Sequence, residues 1–161
     1  MSGLRLILMR HGEAATQGPA GDHSRPLTSH GMWEAANVGQ QLSACGWTPE
    51  WAATSNAARA VQTWERVALC LPAIPSEASP DLYLAGLDTI AGVAMLLPEG
   101  VHTLLVVGHN PGLQDAASTL SGMAVGLRTA HAALLRSSAR SWDSALRRPW
   151  ELETILRAKG A

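Results

Sequence analysis

The feature that most constrains this sequence is a buried strand that leads directly into a helix. Thr103–Val107 is an unbroken run of largely apolar residues, which is typical of a strand covered on both faces. His109 follows the strand, Asn110 can cap a helix, Pro111 suits the first helical position, and the helix is predicted to run to Gly122. Helices must therefore cover both faces of the sheet that contains this strand, and this requirement indicates an α/β fold.

Strands and helices alternate along the rest of the chain. The other predicted strands are Leu4–Met9, Trp51–Thr54, Ala132–Ser137 and Glu151–Arg157, and the other predicted helices are Ser29–Cys45 after the capping residue Thr28, Asn56–Leu71 after the capping residue Ser55, and Leu87–Leu97, with a proline-rich loop at Pro72–Pro80. This alternation over 161 residues predicts a single three-layer α/β/α domain, residues 1–161, with a mostly parallel central sheet.

The composition excludes several classes of partner. Twelve lysines and arginines against thirteen aspartates and glutamates give a net charge of -1, so the chain lacks the field of a nucleic-acid or membrane-surface binder. No apolar run approaches the roughly 20 residues of a membrane span. Cys45 and Cys70 have neither the spacing of a disulfide framework nor that of a zinc site. We therefore expect a soluble, cytoplasmic protein that binds neither nucleic acid nor membranes.

Unusual polar residues follow three of the predicted strands. Arg10 and His11 come after the first strand, Arg59 lies one turn into the helix after the second, and His109 follows Thr103–Val107. In open α/β sheets, ligands bind beyond the carboxyl ends of the strands. Each residue alone has a plainer explanation, as a loop histidine or a solvated arginine. Together, two histidines, two guanidinium forks and the amino ends of helices predict a phosphate site.

Four segments of the sequence carry a family resemblance. Leu8–Glu13, read as Leu-Met-Arg-His-Gly-Glu, resembles the Arg-His-Gly signature of the histidine phosphatase superfamily. Arg25–Thr28, Ser55–Thr63 and Val107–Leu113 resemble, in the same order, the motifs of the small SixA-type phosphohistidine phosphatases. Asn56 stands where these motifs commonly have proline. The resemblance implies a phosphoglycerate mutase-like fold, and the chain is too short for the large helical lid of the mutases and acid phosphatases.

The resemblance also implies roles for individual residues. His11 would attack phosphorus and carry a covalent phosphoryl group, while Arg10, Arg59 and His109 would bind the phosphoryl oxygens. The two arginines should lower the pKa of His11 and keep its imidazole neutral. No metal or cofactor is implied. Two further residues are predicted at the rim of the phosphate pocket, namely Arg25 and Asn110.

The general acid is the least defined part of the predicted site. Relatives that cleave phosphate esters supply a carboxylate for this step, and Asp81 is the first candidate here. Less favoured carboxylates are Asp22, Glu77 and Asp88. The Asp22–His23 loop could reach the pocket rim, although a solvated loop is the simpler interpretation.

Three functions are compatible with these residues. The first is a metal-independent phosphatase that acts on phosphohistidine in a phosphotransfer or phosphocarrier protein, since a phosphohistidine tolerates a weak or absent general acid. The second is a phosphomonoesterase for a small metabolite, and the third is a phosphate- or phosphopeptide-binding module without turnover. A metal hydrolase that uses His11, His109, His23 and Asp22 is disfavoured because arginines beside a dication would repel it.

Overall fold

One mixed sheet organises the chain. The computed structural model describes residues 3–160, and within them six strands lie in the order β3-β2-β4-β1-β5-β6. Their bounds are Leu4–Arg10 for β1, Trp51–Ser55 for β2, Ser76–Ser79 for β3, Thr103–Gly108 for β4, Ala132–Ser137 for β5 and Glu151–Leu156 for β6. The first four pair in parallel, whereas β5 and β6 are antiparallel to their neighbours. The predicted mostly parallel sheet is confirmed.

Four helices cover the two faces of this sheet. They are α1 at Ser29–Ala44, α2 at Ala58–Ala68, α3 at Leu87–Met95 and α4 at Gly112–Ser121. Helices α1 and α2 pack on one face, and α3 and α4 pack on the other. The three-layer α/β/α prediction is therefore confirmed, and residues 3–160 contain no large helical lid. No helix in this part of the chain is long and apolar enough to cross a membrane.

The central strand β1 shows why both faces need helices. Leu6 and Leu8 point to the side covered by α3 and α4, while Ile7 and Met9 point to the side covered by α1 and α2. All four side chains are fully buried. Burial of such a side chain stabilises the fold by about 1.5–3 kcal/mol, so a strand apolar at consecutive positions is stable only between two helical layers.

Two details of the predicted secondary structure were wrong. Pro72–Pro80 was expected to be a loop, but Ser76–Ser79 forms the edge strand β3. Its side chains are small or polar and mostly exposed, so the segment lacks the apolar alternation that predicts strands. The fourth helix begins at Gly112, after a cis Asn110–Pro111 peptide bond, rather than at Pro111.

The parallel strands bring the predicted site residues to one edge. In the β1–β4 register Arg10 pairs with Gly108, so His11 and His109 each follow a residue of that pair. Strand β2 runs parallel on the other side of β4 and ends at the same edge. Glycines let the chain after β1 lie against the start of α1, because a Cβ on Gly31 would lie 2.1 Å from the carbonyl oxygen of Glu13.

Candidate active site

His11 is held rigidly at the carboxyl end of β1. Its backbone N–H donates to the carbonyl of Gly108 at 3.1 Å, and its own carbonyl accepts the N–H of Ala130 at 3.0 Å. The imidazole is buried, with 7% of the residue exposed. The next residue, Gly12, is fixed in turn because its N–H donates to the Thr63 hydroxyl at 2.9 Å. Strand pairing and α2 together thus determine where the ring lies.

One hydrogen bond selects the tautomer of His11. Nδ1 lies 2.7 Å from the carbonyl oxygen of Gly12. A carbonyl oxygen only accepts, so Nδ1 must carry the proton. In the neutral ring this leaves the lone pair on Nε2.

The electrostatics of the site keep His11 neutral. The pKa of His11 is lowered to about 4. Burial is the main cause, the hydrogen bond with Gly12 opposes it, and the charges of Arg59, Arg10 and Arg25 add to the lowering. The sequence predicted that Arg10 and Arg59 lower the pKa of His11, and both charges do so. Burial, however, is a larger cause than either charge. The imidazole of His11 is therefore neutral across the physiological pH range.

His109 lies beside His11 at the end of β4. The two ring centroids are 5.2 Å apart, and His109 Nε2 lies 2.8 Å from the Ser55 hydroxyl at the end of β2. Ser55 was predicted to cap α2; instead its oxygen accepts the N–H of Ala57, and α2 has no side-chain cap. Burial lowers the pKa of His109 to about 3, with the neighbouring His11 as the next cause. This ring is neutral as well.

Arg10 and Arg59, the two arginines at this edge, each have a buried nitrogen that lacks a hydrogen-bond partner. Arg59, with 5% of the residue exposed, reaches back from the first turn of α2, and Nε of its guanidinium has no partner. Arg10 donates to the carbonyl of Leu127 at 3.3 Å, and its Nε is also unpaired. Nδ1 of His109 is a third buried nitrogen without a partner. Buried polar groups are rarely left unpaired, so these three nitrogens indicate a place for an oxygen-rich ligand.

The Asp22 loop reaches the site, and its Asp22 side chain is also 54% exposed to solvent. Arg59 donates through Nη1 to the backbone carbonyl of Asp22 at 2.8 Å and through Nη2 to its carboxylate at 3.1 Å. Tyr83 donates its hydroxyl to the same carboxylate. The hydrogen bond from Tyr83, with the charge of Arg59 and the hydrogen bonds from Arg25 and Arg59, lowers the pKa of Asp22 to about 2. Asp22 is therefore an anion at neutral pH.

The remaining predicted residues separate into two groups. Arg25 lies at the rim, where it donates to the Asp22 carboxylate at 2.9 Å. Asn110 turns its amide nitrogen to the carbonyl of Leu127 at 2.6 Å, the same oxygen that Arg10 contacts. Asp81 does not join them. It is exposed and lines a separate cavity of about 160 Å³ against α3, so we do not retain it as the general acid.

Three supporting contacts were missed from the sequence. Tyr83 contacts Asp22, Ser55 contacts His109, and Thr63 contacts Gly12 while donating to the Arg59 carbonyl at 2.7 Å. The contact of Thr63 could have been predicted, because Thr63 lies one helical turn after Arg59 on the same face of the helix. The contact of Tyr83 could not, since Tyr83 lies 61 residues from Asp22 in the chain.

The donor set suits an anion rather than a metal ion. Within residues 3–160, no group of three or more histidine, cysteine, aspartate or glutamate side chains is arranged to hold a metal. The groups that converge on His11 are two guanidiniums and a second imidazole. Such groups bind and neutralise phosphoryl oxygens through charge-assisted hydrogen bonds.

Comparison with known proteins agrees with this geometry. The sequence pattern of the histidine phosphatase superfamily, branch 1, matches residues 6–83. A chloroplastic protein of Arabidopsis thaliana, itself uncharacterised, is 33% identical over 94% of this chain and 77% of its own length. This chain therefore belongs to the histidine phosphatase superfamily.

Two further relatives define the type within that superfamily. The phosphohistidine phosphatase SixA of Escherichia coli K12 is 35% identical over 67% of this chain and 68% of its own length. A solved structure of the protein histidine phosphatase SixA in complex with tungstate superposes with a TM-score of 0.82 at 25% identity, covering 96% of this chain and 97% of that one. The chain is of the SixA type.

Proposed function

We propose that this protein is a phosphatase that removes the phosphoryl group from phosphohistidine in a phosphotransfer protein, through a covalent intermediate on His11. One observation carries the proposal. A neutral histidine with a free Nε2 lies among three buried nitrogens, on Arg10, Arg59 and His109, that have no partner. In-line phosphoryl transfer requires a nucleophile of this kind beside unpaired hydrogen-bond donors. The structure of a SixA protein with tungstate, an oxyanion, supports the same interpretation.

The reaction has two displacement steps. In the first, the substrate's phosphohistidine ring takes up a proton from water on its free nitrogen, His11 Nε2 forms a bond to phosphorus as the substrate's P–N bond breaks, and the substrate histidine leaves as neutral imidazole. In the second, water attacks the phosphoryl group on His11, which releases inorganic phosphate and restores the neutral ring. Arg10 and Arg59 bind the equatorial oxygens in both steps.

His109 acts as an additional donor to the phosphoryl group. The Ser55 oxygen already accepts the Ala57 N–H, so its hydroxyl hydrogen is available to Nε2 of His109. That arrangement keeps the imidazole proton on the unpaired Nδ1, which then donates to a phosphoryl oxygen.

The state of Asp22 favours phosphohistidine over phosphate esters. An alkoxide leaving group benefits by about 10²–10⁴-fold from a positioned proton donor. With a pKa of about 2, Asp22 holds no proton to give at neutral pH, and Asp81 lies away from the site. Imidazole is a far weaker base, with a conjugate acid pKa of about 6.5, so it leaves without such a donor. Transfer between two histidines is also close to thermoneutral.

A substrate panel tests this proposal. We expect rapid release of phosphate from a four-helix phosphotransfer domain phosphorylated on histidine, and turnover of a sugar phosphate and of an aryl phosphate at least about 10²-fold slower in kcat/KM. Activity should be unchanged by EDTA, because no step needs a metal ion. Preference for the sugar phosphate would instead favour a metabolite phosphomonoesterase, and failure to hydrolyse any of the three substrates would favour a binding module.

The pKa of His11 supplies an independent test. Its imidazole should titrate near pH 4 and that of His109 near pH 3, as measured by nitrogen chemical shifts in protein labelled at histidine. Unfolded histidines hold protons up to about pH 6.5, so the unfolded state binds more protons between about pH 4 and 6.5. The free energy of unfolding should therefore fall as the pH drops through this window. A midpoint for His11 above pH 6 would contradict the neutral-nucleophile assignment.

A further inference from the structure

A groove lies beside the proposed phosphoryl site and shares two residues with it. It has a volume of about 280 Å³ and is lined by residues 83–86 and 109–112. Tyr83 and His109 belong to both the groove and the site. The ring centroids of Tyr83 and His109 are 5.2 Å apart, and His109 is in turn 5.2 Å from His11. A molecule whose phosphoryl group reaches His11 therefore passes directly beside this groove.

The groove is apolar and has a prominent leucine at its rim. Of the eight lining residues, only His109 carries a titratable group other than the Tyr83 hydroxyl, and no Asp, Glu, Lys or Arg is among them. Leu84 is 85% exposed, although its neighbour Ala85 is buried. A single exposed leucine needs no special explanation, but this one borders the place where substrate must enter.

The backbone on either side of Leu84 is held in place by contacts within the chain. The Tyr83 N–H donates to the carbonyl of Pro80 at 3.1 Å, and the Ile90 N–H donates to the carbonyl of Gly86 at 3.2 Å. The Ala85 carbonyl packs so closely on the start of α4 that a Cβ on Gly112 would lie 1.7 Å from its oxygen. A preformed surface loses little conformational entropy on binding, so contact with Leu84 contributes to affinity.

We infer that this groove docks the helix that carries the phosphohistidine of a protein substrate, by receiving an apolar side chain about one turn away from that histidine. The inference rests on the proposed function. Residues three or four apart on a helix have Cβ atoms about 5–6 Å from each other, so a helix with its phosphohistidine at His11 presents a neighbouring side chain to the surface beside His109. The uncharged lining matches an apolar side chain. Free phosphohistidine has no such neighbour and leaves Leu84 uncovered.

Two substrates with the same phosphoryl chemistry separate docking from catalysis. We would compare a four-helix phosphotransfer domain phosphorylated with phosphoramidate against the amino acid phosphohistidine made in the same way. Leu84→Ser should lower kcat/KM for the domain by about tenfold or more, the loss expected when a buried leucine contact is removed, and Leu84→Asp should lower it further. Both variants should match the wild type within about twofold on free phosphohistidine.

Leu69→Ser provides the matched control. Leu69 is 78% exposed and follows the last turn of α2, the helix whose first turn carries Arg59 at the site. Its replacement removes a comparable exposed leucine at the opposite end of that helix and should leave both substrates unaffected.

Each alternative outcome identifies a different error. If the wild type hydrolyses the phosphorylated domain and Leu84→Ser hydrolyses it equally well, the docking inference is wrong while the proposed function holds. If the wild type does not hydrolyse the domain at all, the proposed function is wrong, and the docking inference that rests on it is wrong as well. If sedimentation shows a dimer that Leu84→Asp dissociates, the groove receives a second copy of this chain, and the docking inference is overturned.

Discussion

Replacement of His11 with alanine should abolish turnover. We expect kcat for the phosphorylated phosphotransfer domain to fall by about 10⁴-fold or more, because no other group is placed to form the covalent intermediate and the loss of a nucleophile typically has an effect of this size. Rapid acid-free quenching of the wild type should trap a phosphoryl group that is stable to base and labile to acid, as expected for phosphohistidine. The variant should trap none.

His30→Ala is the control for this experiment. His30 lies on α1 with more than half of its side chain exposed, so its removal should leave both kcat and the trapped intermediate unchanged. Circular dichroism and thermal unfolding would establish that the His11 variant is folded. Phosphatase activity of a folded His11→Ala protein above about 1% of the wild type would show that another group is the nucleophile.

Replacement of Arg59 with alanine should have the second largest effect. Loss of one preorganised donor to a developing charge typically costs about 10²–10³-fold, and a buried guanidinium that can offer two parallel hydrogen bonds should lie at the upper end of that range. Removal of Arg59 also takes away the two hydrogen bonds that it donates to the backbone carbonyl and the carboxylate of Asp22, so the loop that carries Asp22 should lose order. We therefore expect kcat/KM to fall by about 10³-fold, together with weaker binding of tungstate by calorimetry.

Two variants on α2 test whether the planar shape of the Arg59 guanidinium matters in addition to its positive charge. Arg59→Lys keeps the positive charge but not the planar fork, and it should recover only a small part of the lost activity. Arg66→Ala removes an arginine in the last turn of α2, whose side chain contacts Met32 away from the site, and it should be indistinguishable from the wild type. Full activity in Arg59→Lys would show that point charge alone is sufficient and that bidentate contact is not part of the mechanism.

The central elements of the fold were predictable because their signals are local. Strand β4 and the start of its helix lie within ten residues of each other, and the apolar run of β1 is incompatible with an exposed face. Edge strand β3 was missed because its stability comes from backbone pairing with β2, a long-range contact that leaves no apolar pattern in Ser76–Ser79. Side-chain patterns report burial, and this strand is mostly exposed.

The sequence by itself determined which residues meet at the proposed phosphoryl site. Arg10, His11 and His109 lie directly at the ends of the neighbouring parallel strands β1 and β4, and Arg59 lies in the first turn of α2, which follows β2, so the topology of an α/β sheet places them together. Only the tertiary structure decided the protonation state and surroundings of these residues. Burial ranks first among the causes that keep His11 neutral, and the contact between Asp22 and Tyr83 joins two loops that are far apart in the chain. Desolvation and loop packing depend on the whole folded chain, so neither can be predicted from a short sequence motif.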